Sequence, residues 1–125
     1  RRQRQMCIRD REGIACSFCY GLDIMRTLGL APEVIRAGAA NLFLSPLFRQ
    51  TLATLTGARI ELFNTDGALG AARGAALGAG YYRTRGEAFA SLRRLETVEP
   101  VAADREVLER CYGAWCREVE RAIDE

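Results

Sequence analysis

The chain has 125 residues, 49% apolar and 27% charged, with 18 basic side chains, all Arg, 16 acidic ones and no His. The lack of Lys excludes a Walker A loop and Schiff-base chemistry, and the lack of His excludes a Ser-His-Asp triad, a Cys-His pair and any His-ligated metal within this chain. The net charge of +2 is uneven: residues 1–11 hold five Arg and one Asp, whereas residues 12–125 hold 13 Arg against 15 acids and carry no basic stripe of the kind nucleic-acid binding needs.

Residues 1–11 (RRQRQMCIRDR) admit several readings. One is a basic arm for RNA, a membrane surface or nuclear import. Another is a solvated, disordered terminus. The string also looks like a translated sequencing adapter joined to a truncated gene, with MCIRDR over residues 6–11 as the telltale part. On that reading it is set aside from fold reasoning, and the chain is expected to be a fragment of a longer gene product. No apolar stretch precedes a small-residue cleavage site, and no run of 18 apolar residues occurs, so neither a signal peptide nor a transmembrane helix is expected.

A helix is predicted over residues 12–30. Ile14, Phe18, Leu22, Met25 and Leu28 recur at spacings of three and four and make one apolar face. Gly29 and Pro32 end it. Residues 33–37 (EVIRA) read as a short strand, followed by a loop over 38–44 (GAANLFL). Ser45 then caps a second helix with Pro46 at its first position, where the missing N–H costs nothing. Leu47, Phe48, Leu52 and Leu55 form the expected buried face, and Gly57 supplies a left-handed cap.

Residues 59–63 (RIELF) alternate as a strand, with Ile60 and Leu62 on one face. Asn64 to Gly67 form a turn that caps an alanine-rich helix over residues 68–82. A short helix over 87–95 and an acidic connection ending in Pro100 come next. Asp104 is expected to cap a last helix reaching about residue 122, with a stripe of Leu108, Cys111, Tyr112, Trp115, Val119 and Ile123. Strands alternating with helices mean an α/β layer fold. Two strands are too few for a complete sheet.

Three constellations bear on chemistry. Cys16 and Cys19 form a CxxC, and Cys111 and Cys116 a CxxxxC. A Cys₄ zinc site or a redox pair would use such spacings. Both pairs lie inside predicted helices without a Gly-rich knuckle, so buried small hydrophobes are the expected role. Free thiols favour a reducing compartment. Gly70, Gly74 and Gly78 punctuate the alanine-rich helix and give it a small face, which lets another backbone approach closely. The start of that helix, near Asp66 and Gly67, can face a ligand's phosphates. The loop over 37–45 follows a strand end, where open α/β sheets hold ligands. Gly38, Ala39 and Ala40 let a flat group lie against the backbone, and Asn41 and Ser45 can hydrogen-bond its edge.

Residues 34–57 (VIRAGAANLFLSPLFRQTLATLTG) resemble the adenosine-site segment of the FGGY carbohydrate kinases, in a branch similar to bacterial xylulokinases. The matching features are Gly38, then Ser45-Pro46 with Phe48, Arg49 and Gln50, then Ala53 and Gly57. The resemblance continues through residues 66–72 (DGALGAA), and includes the opening EGIA of residues 12–15 and Val98-Glu99-Pro100 before the last helix. The turn departs from the family's usual Gly-Gly-Gly or Gly-Gly-Ala, having Ala37-Gly38-Ala39 and a few extra residues before Ser45.

The resemblance implies part of an actin-like, ribonuclease H-like ATPase domain: the C-terminal, nucleotide-side domain of a sugar kinase, over residues 12–125, with an incomplete sheet. It implies ATP and Mg²⁺ as cofactors of the complete enzyme, a sugar substrate such as D-xylulose bound through a part not present here, and a cytoplasmic location. It allows a homodimer of the complete enzyme and calls for neither nucleic acid nor membrane. No catalytic residue and no metal ligand falls in this chain, because the family's catalytic Asp belongs to the other part. Expected nucleotide-binding residues are Gly38, Ala39 and Asn41, with Ser45 and Gln50 in support, and Gly67 and Gly70 packing near the nucleotide. The alternative is a free-standing nucleotide-binding or protein-interaction module without catalytic activity.

Overall fold

The computed structural model describes residues 2–124, with side chains from residue 10 onward. Much of residues 1–11, and with it the adapter-like or basic-arm reading, lies outside the described side chains. Helix α1 (Arg2–Thr27) leads into strand β1 (Val34–Gly38), a one-turn 3₁₀ helix (Asn41–Leu44) and helix α2 (Pro46–Thr56). Strand β2 (Arg59–Phe63), helices α3 (Gly67–Gly78) and α4 (Arg85–Phe89), strand β3 (Arg94–Val98) and helix α5 (Ala102–Ile123) follow. The sheet has the order β1-β2-β3. β1 and β2 are parallel, with Val34 opposite Arg59 and Gly38 opposite Phe63. β3 is antiparallel to β2, with an irregularity at Leu62 and Phe63. The fold is thus α/β with a three-stranded, mixed, open sheet.

The core lies between the sheet and α2, flanked by α1 and α5. Phe48, Leu52, Ala53 and Leu55 from α2 meet Ile60, Leu62 and Val98 from the sheet and Ala15, Cys16 and Cys19 from α1. Ser45 caps α2 by accepting from the Phe48 N–H, Pro46 opens it, and Gly57 closes it at φ 69°.

Several expectations are corrected. α1 buries a stripe of small residues, Ala15, Cys16 and Cys19, and leaves Phe18, Met25 and Leu28 exposed. Small side chains let α1 approach α2 closely, so Met25 and Leu28 stay outside the core, while Ile14 and Phe18 reach only its margin. Leu47 is likewise exposed, because it sits on the far side of α2 from Leu52. Residues 94–98 form β3 where a helix and connection were expected. β3 lies at the sheet edge, and only Val98 of its five residues is buried, so the strand has no apolar alternation to betray it. α5 starts one turn before the expected cap: Val101 is its N-cap, and Asp104 lies in the first turn. Of its stripe, Leu108, Tyr112 and Trp115 pack against the core, while Cys111 and Ile123 are exposed.

A polar relay ties three helices together. Tyr112 on α5 donates to Asp23 on α1 at 2.7 Å, Arg26 donates to the other oxygen of Asp23 at 2.7 Å, and Arg26 also donates to the Thr56 carbonyl at 2.6 Å. Burial and the bond to Asp23 push the Tyr112 hydroxyl's pKa up. Glu61, 5% exposed in its side chain, accepts from Arg36 and Arg94 at 3.1 Å each, with Arg59 3.6 Å away. By strand alternation this ion cluster sits on the sheet face opposite the core.

Candidate functional site: a cleft at the carboxyl ends of the parallel strands

Gly38 and Phe63 end the parallel strands side by side, the position where open α/β sheets hold ligands. From there the chain diverges, into the 3₁₀ turn after β1 and into α3 after β2. A cavity of about 280 Å³ opens between the two exits, bounded by Gly38, Asn41, Phe43, Asp66, Gly67 and, from α1, Phe18.

The walls are held by short-range geometry. A Cβ on Gly38 would lie 2.4 Å from the Thr65 carbonyl oxygen, so only glycine allows the β2–α3 turn to pass this close. Ala39 continues the ladder by donating to the Phe63 carbonyl at 2.9 Å. Asn41 stands at φ 53°, the left-handed region that asparagine enters more readily than most residues. Asp66 caps α3, accepting from the Leu69 N–H at 2.8 Å. Arg73 reaches back from α3 to Thr65 Oγ1 at 2.8 Å and Ser91 Oγ at 3.3 Å, tying the turn to the α4–β3 connection.

Arg49 holds the 3₁₀ turn from below. It donates to the Phe43 carbonyl at 2.9 Å and pairs with Glu96 at 3.1 Å, while its Nε is buried with no partner. Phe43 stands edge-on to Phe18 and Phe48, at centroid distances of 6.5 and 5.5 Å. This aromatic group is the floor shared by the core and the cleft.

The expected nucleotide-binding residues therefore divide. Gly38, Asn41 and Gly67 border one cleft, and the Ala39 backbone runs beside it. Ser45 does not border that cleft but shares a neighbouring cavity of about 410 Å³ with Asn41 and Arg11, its hydroxyl accepting from Phe48 N and from Arg11 at 3.1 Å. Gln50 faces a separate cavity of about 270 Å³ on another side of α2, with Thr54 and Asp104. Its amide donates to the Glu99 carbonyl at 2.8 Å and fixes the β3–α5 connection. Gly70 lies further along α3 with open space around it. Phe18, Asp66 and Arg49 are the residues that motif reading passed over as site residues. Helical spacing places Phe18 on the core-facing stripe, and Asp66 reads as part of a capping turn at a helix start that can face phosphates.

Cys16 and Cys19 are buried in the core, and burial pushes their thiols up to about 11. Both are protonated at neutral pH, which suits packing and not nucleophilic attack. Among the described residues no three His, Cys, Asp or Glu side chains stand close enough to hold a metal ion. No helix there is long and apolar enough to cross a membrane.

No family model matches the chain, and no curated protein matches it by sequence. Among solved structures, its fold is similar to part of the xylulose kinase from Rhodospirillum rubrum, with a TM-score of 0.69 and 24% identity. The likeness covers 89% of this chain and 23% of that chain, so the protein has the fold of under a quarter of that kinase's length.

Proposed function

We propose that this chain is the nucleotide-side part of an ATP-dependent carbohydrate kinase of the FGGY, xylulokinase-like type, and that it holds the adenosine end of ATP. The observation that carries the reading is the strand-end cleft in a fold similar to part of a xylulose kinase. Gly38, Ala39 and Asn41 are the residues assigned to the base and ribose side, with Gly67 across the cleft. Ser45, Gln50 and Arg49 act by fixing the surrounding backbone, and Gly70 by keeping the α3 face small.

The cavity suits one flat group with polar edges: its volume, about 280 Å³, lies just below the roughly 300–1,000 Å³ typical of small-molecule sites. The Mg²⁺ that accompanies ATP in kinases offsets phosphate charge. Here no metal-ligand set converges among the described residues, so no ligand of that ion is assigned to this chain. The proton of the attacking sugar hydroxyl goes to a carboxylate on another part of the enzyme. On this reading the isolated chain binds nucleotide and does not phosphorylate D-xylulose.

Calorimetric titration of ATP into the chain, with and without Gly38→Val, tests the reading. Binding to the wild type and not to the variant is expected. No binding to the wild type would overturn it, and turnover of D-xylulose by the chain alone would overturn the incomplete-enzyme part. The second reading, a protein-interaction module, is favoured by one observation: Phe18, Ile24, Met25, Leu28 and Leu30 are all exposed along and after α1.

A further inference from the structure

The walls of the strand-end cleft hold one carboxylate, Asp66, and no cation. Phosphate groups need the reverse. The α3 N-terminus does not offset this, because Asp66 already occupies the Leu69 N–H and sets its own negative charge at the helix start. Capping uses only Oδ1; Oδ2 has no protein donor among the described residues. Asp66 is solvent-exposed and borders the cavity together with Asn41 and the Phe18 ring. An aromatic face, an amide and an acceptor-only oxygen suit a ligand with a flat apolar body and hydroxyl donors. Two vicinal hydroxyls on a sugar attached to a base meet that description.

We propose that Asp66 reads the ribose of the bound nucleotide, its free Oδ2 accepting from the 2′- or 3′-hydroxyl while Oδ1 caps α3, so that the cleft selects ribonucleosides and leaves the phosphates outside. The role rests on the nucleotide-side reading above and adds a specificity-determining residue to it. It also explains why a capping residue stands where a phosphate-binding helix start would be left open.

The test is calorimetry on the full chain with four probes: adenosine, 2′-deoxyadenosine, 3′-deoxyadenosine and ATP. Each is titrated into the wild type and into Asp66→Asn, a variant that keeps a good cap. Adenosine and ATP should bind the wild type alike. At least one deoxynucleoside should bind about tenfold more weakly, as expected for a lost hydrogen bond to a charged group. In Asp66→Asn, adenosine should weaken by a similar factor and the difference between adenosine and the deoxynucleosides should vanish. A purely structural Asp66 would not couple to a ligand hydroxyl in this way. Equal binding of all three nucleosides to the wild type, or undiminished discrimination in the variant, overturns the ribose role and leaves the nucleotide site standing. Binding of ATP without adenosine also overturns it, since the phosphates would then carry the affinity. Binding of none of the four overturns both.

Discussion

Helix α2 leaves β1 and helix α3 leaves β2, each capped by its own N-terminal side chain, yet seven of the eleven residues of α2 are buried and none of the twelve of α3 is. Their compositions explain the contrast. α2 carries Phe48, Leu52 and Leu55 on one side and threonines on the others; Thr56 donates to the Leu52 carbonyl at 2.7 Å, so even its polar groups are satisfied inside. Apart from Arg73, α3 is alanine and glycine with one Leu near each end, a surface that gains little from water exclusion but lets a backbone come close. One helix has found its partners within this chain. The other is held by its cap and by Arg73, and its small face remains uncovered among the described residues.

The contrast can be broken most strongly at α2. Leu52→Ala empties a site that is 0% exposed, and should cost about 2–5 kcal/mol in denaturant unfolding. Gly38→Ala should follow, at about 1–3 kcal/mol, because the added methyl pushes the β2–α3 turn away. It should also weaken nucleotide binding, whereas Leu52→Ala should affect binding only through stability. On α3 the sign reverses. Gly74→Ala meets nothing within 4 Å and should stabilise the chain by up to about 1 kcal/mol, read as a raised melting temperature. If it destabilises instead, α3 is packed against something in solution.

The smallest effects should come from the ion cluster on the open sheet face. Arg36→Ala removes a guanidinium that is 74% exposed, and should cost no more than about 1 kcal/mol. Its pH signature is more telling. The Arg36 and Arg94 guanidiniums hold Glu61 below the ordinary carboxylate range, against the opposing effect of burial. A carboxylate lowered on folding contributes stability above its unfolded value of about 4.3, and loses it as pH falls through the folded value. Acid titration of the melting temperature should therefore be flatter in Glu61→Gln than in the wild type below about pH 4.3.

Local chemistry made much of the fold legible in the sequence. Ser45-Pro46, Gly57 and Asp66 each perform a capping task that depends on a few neighbouring atoms, and each stands where its residue type demands. β2 alternates because Ile60 and Leu62 meet the core while Glu61 between them gathers the arginines on the other face. What escaped was decided by distant packing. α1 buries Ala15, Cys16 and Cys19 instead of its larger apolar face, and nothing in a helical wheel says which of two apolar stripes a neighbour will choose. β3 escaped because an exposed edge strand carries charges and no period. At the cleft, Gly38, Asn41 and Gly67 were legible as loop residues at strand ends, whereas Phe18 enters from α1 through tertiary packing alone. Arg49 was visible as a motif residue, but its grip on the Phe43 carbonyl depends on the 3₁₀ turn, which no periodicity announces.

The bond from Tyr112 to Asp23 joins residues 89 positions apart in the chain. During synthesis, which runs at about 5–20 residues per second, Asp23 must wait several seconds for its partner to emerge. Until then α1, α2 and the strands can assemble, but the Arg26–Asp23 pair lacks its third member and the α1 face that receives α5 stays bare. The relay is thus the last of these features to be synthesised: every residue that borders the strand-end cleft, up to Gly67, precedes Tyr112 in the chain. Of the contacts that set its topology this one has a long sequence separation, the kind that slows refolding from denaturant.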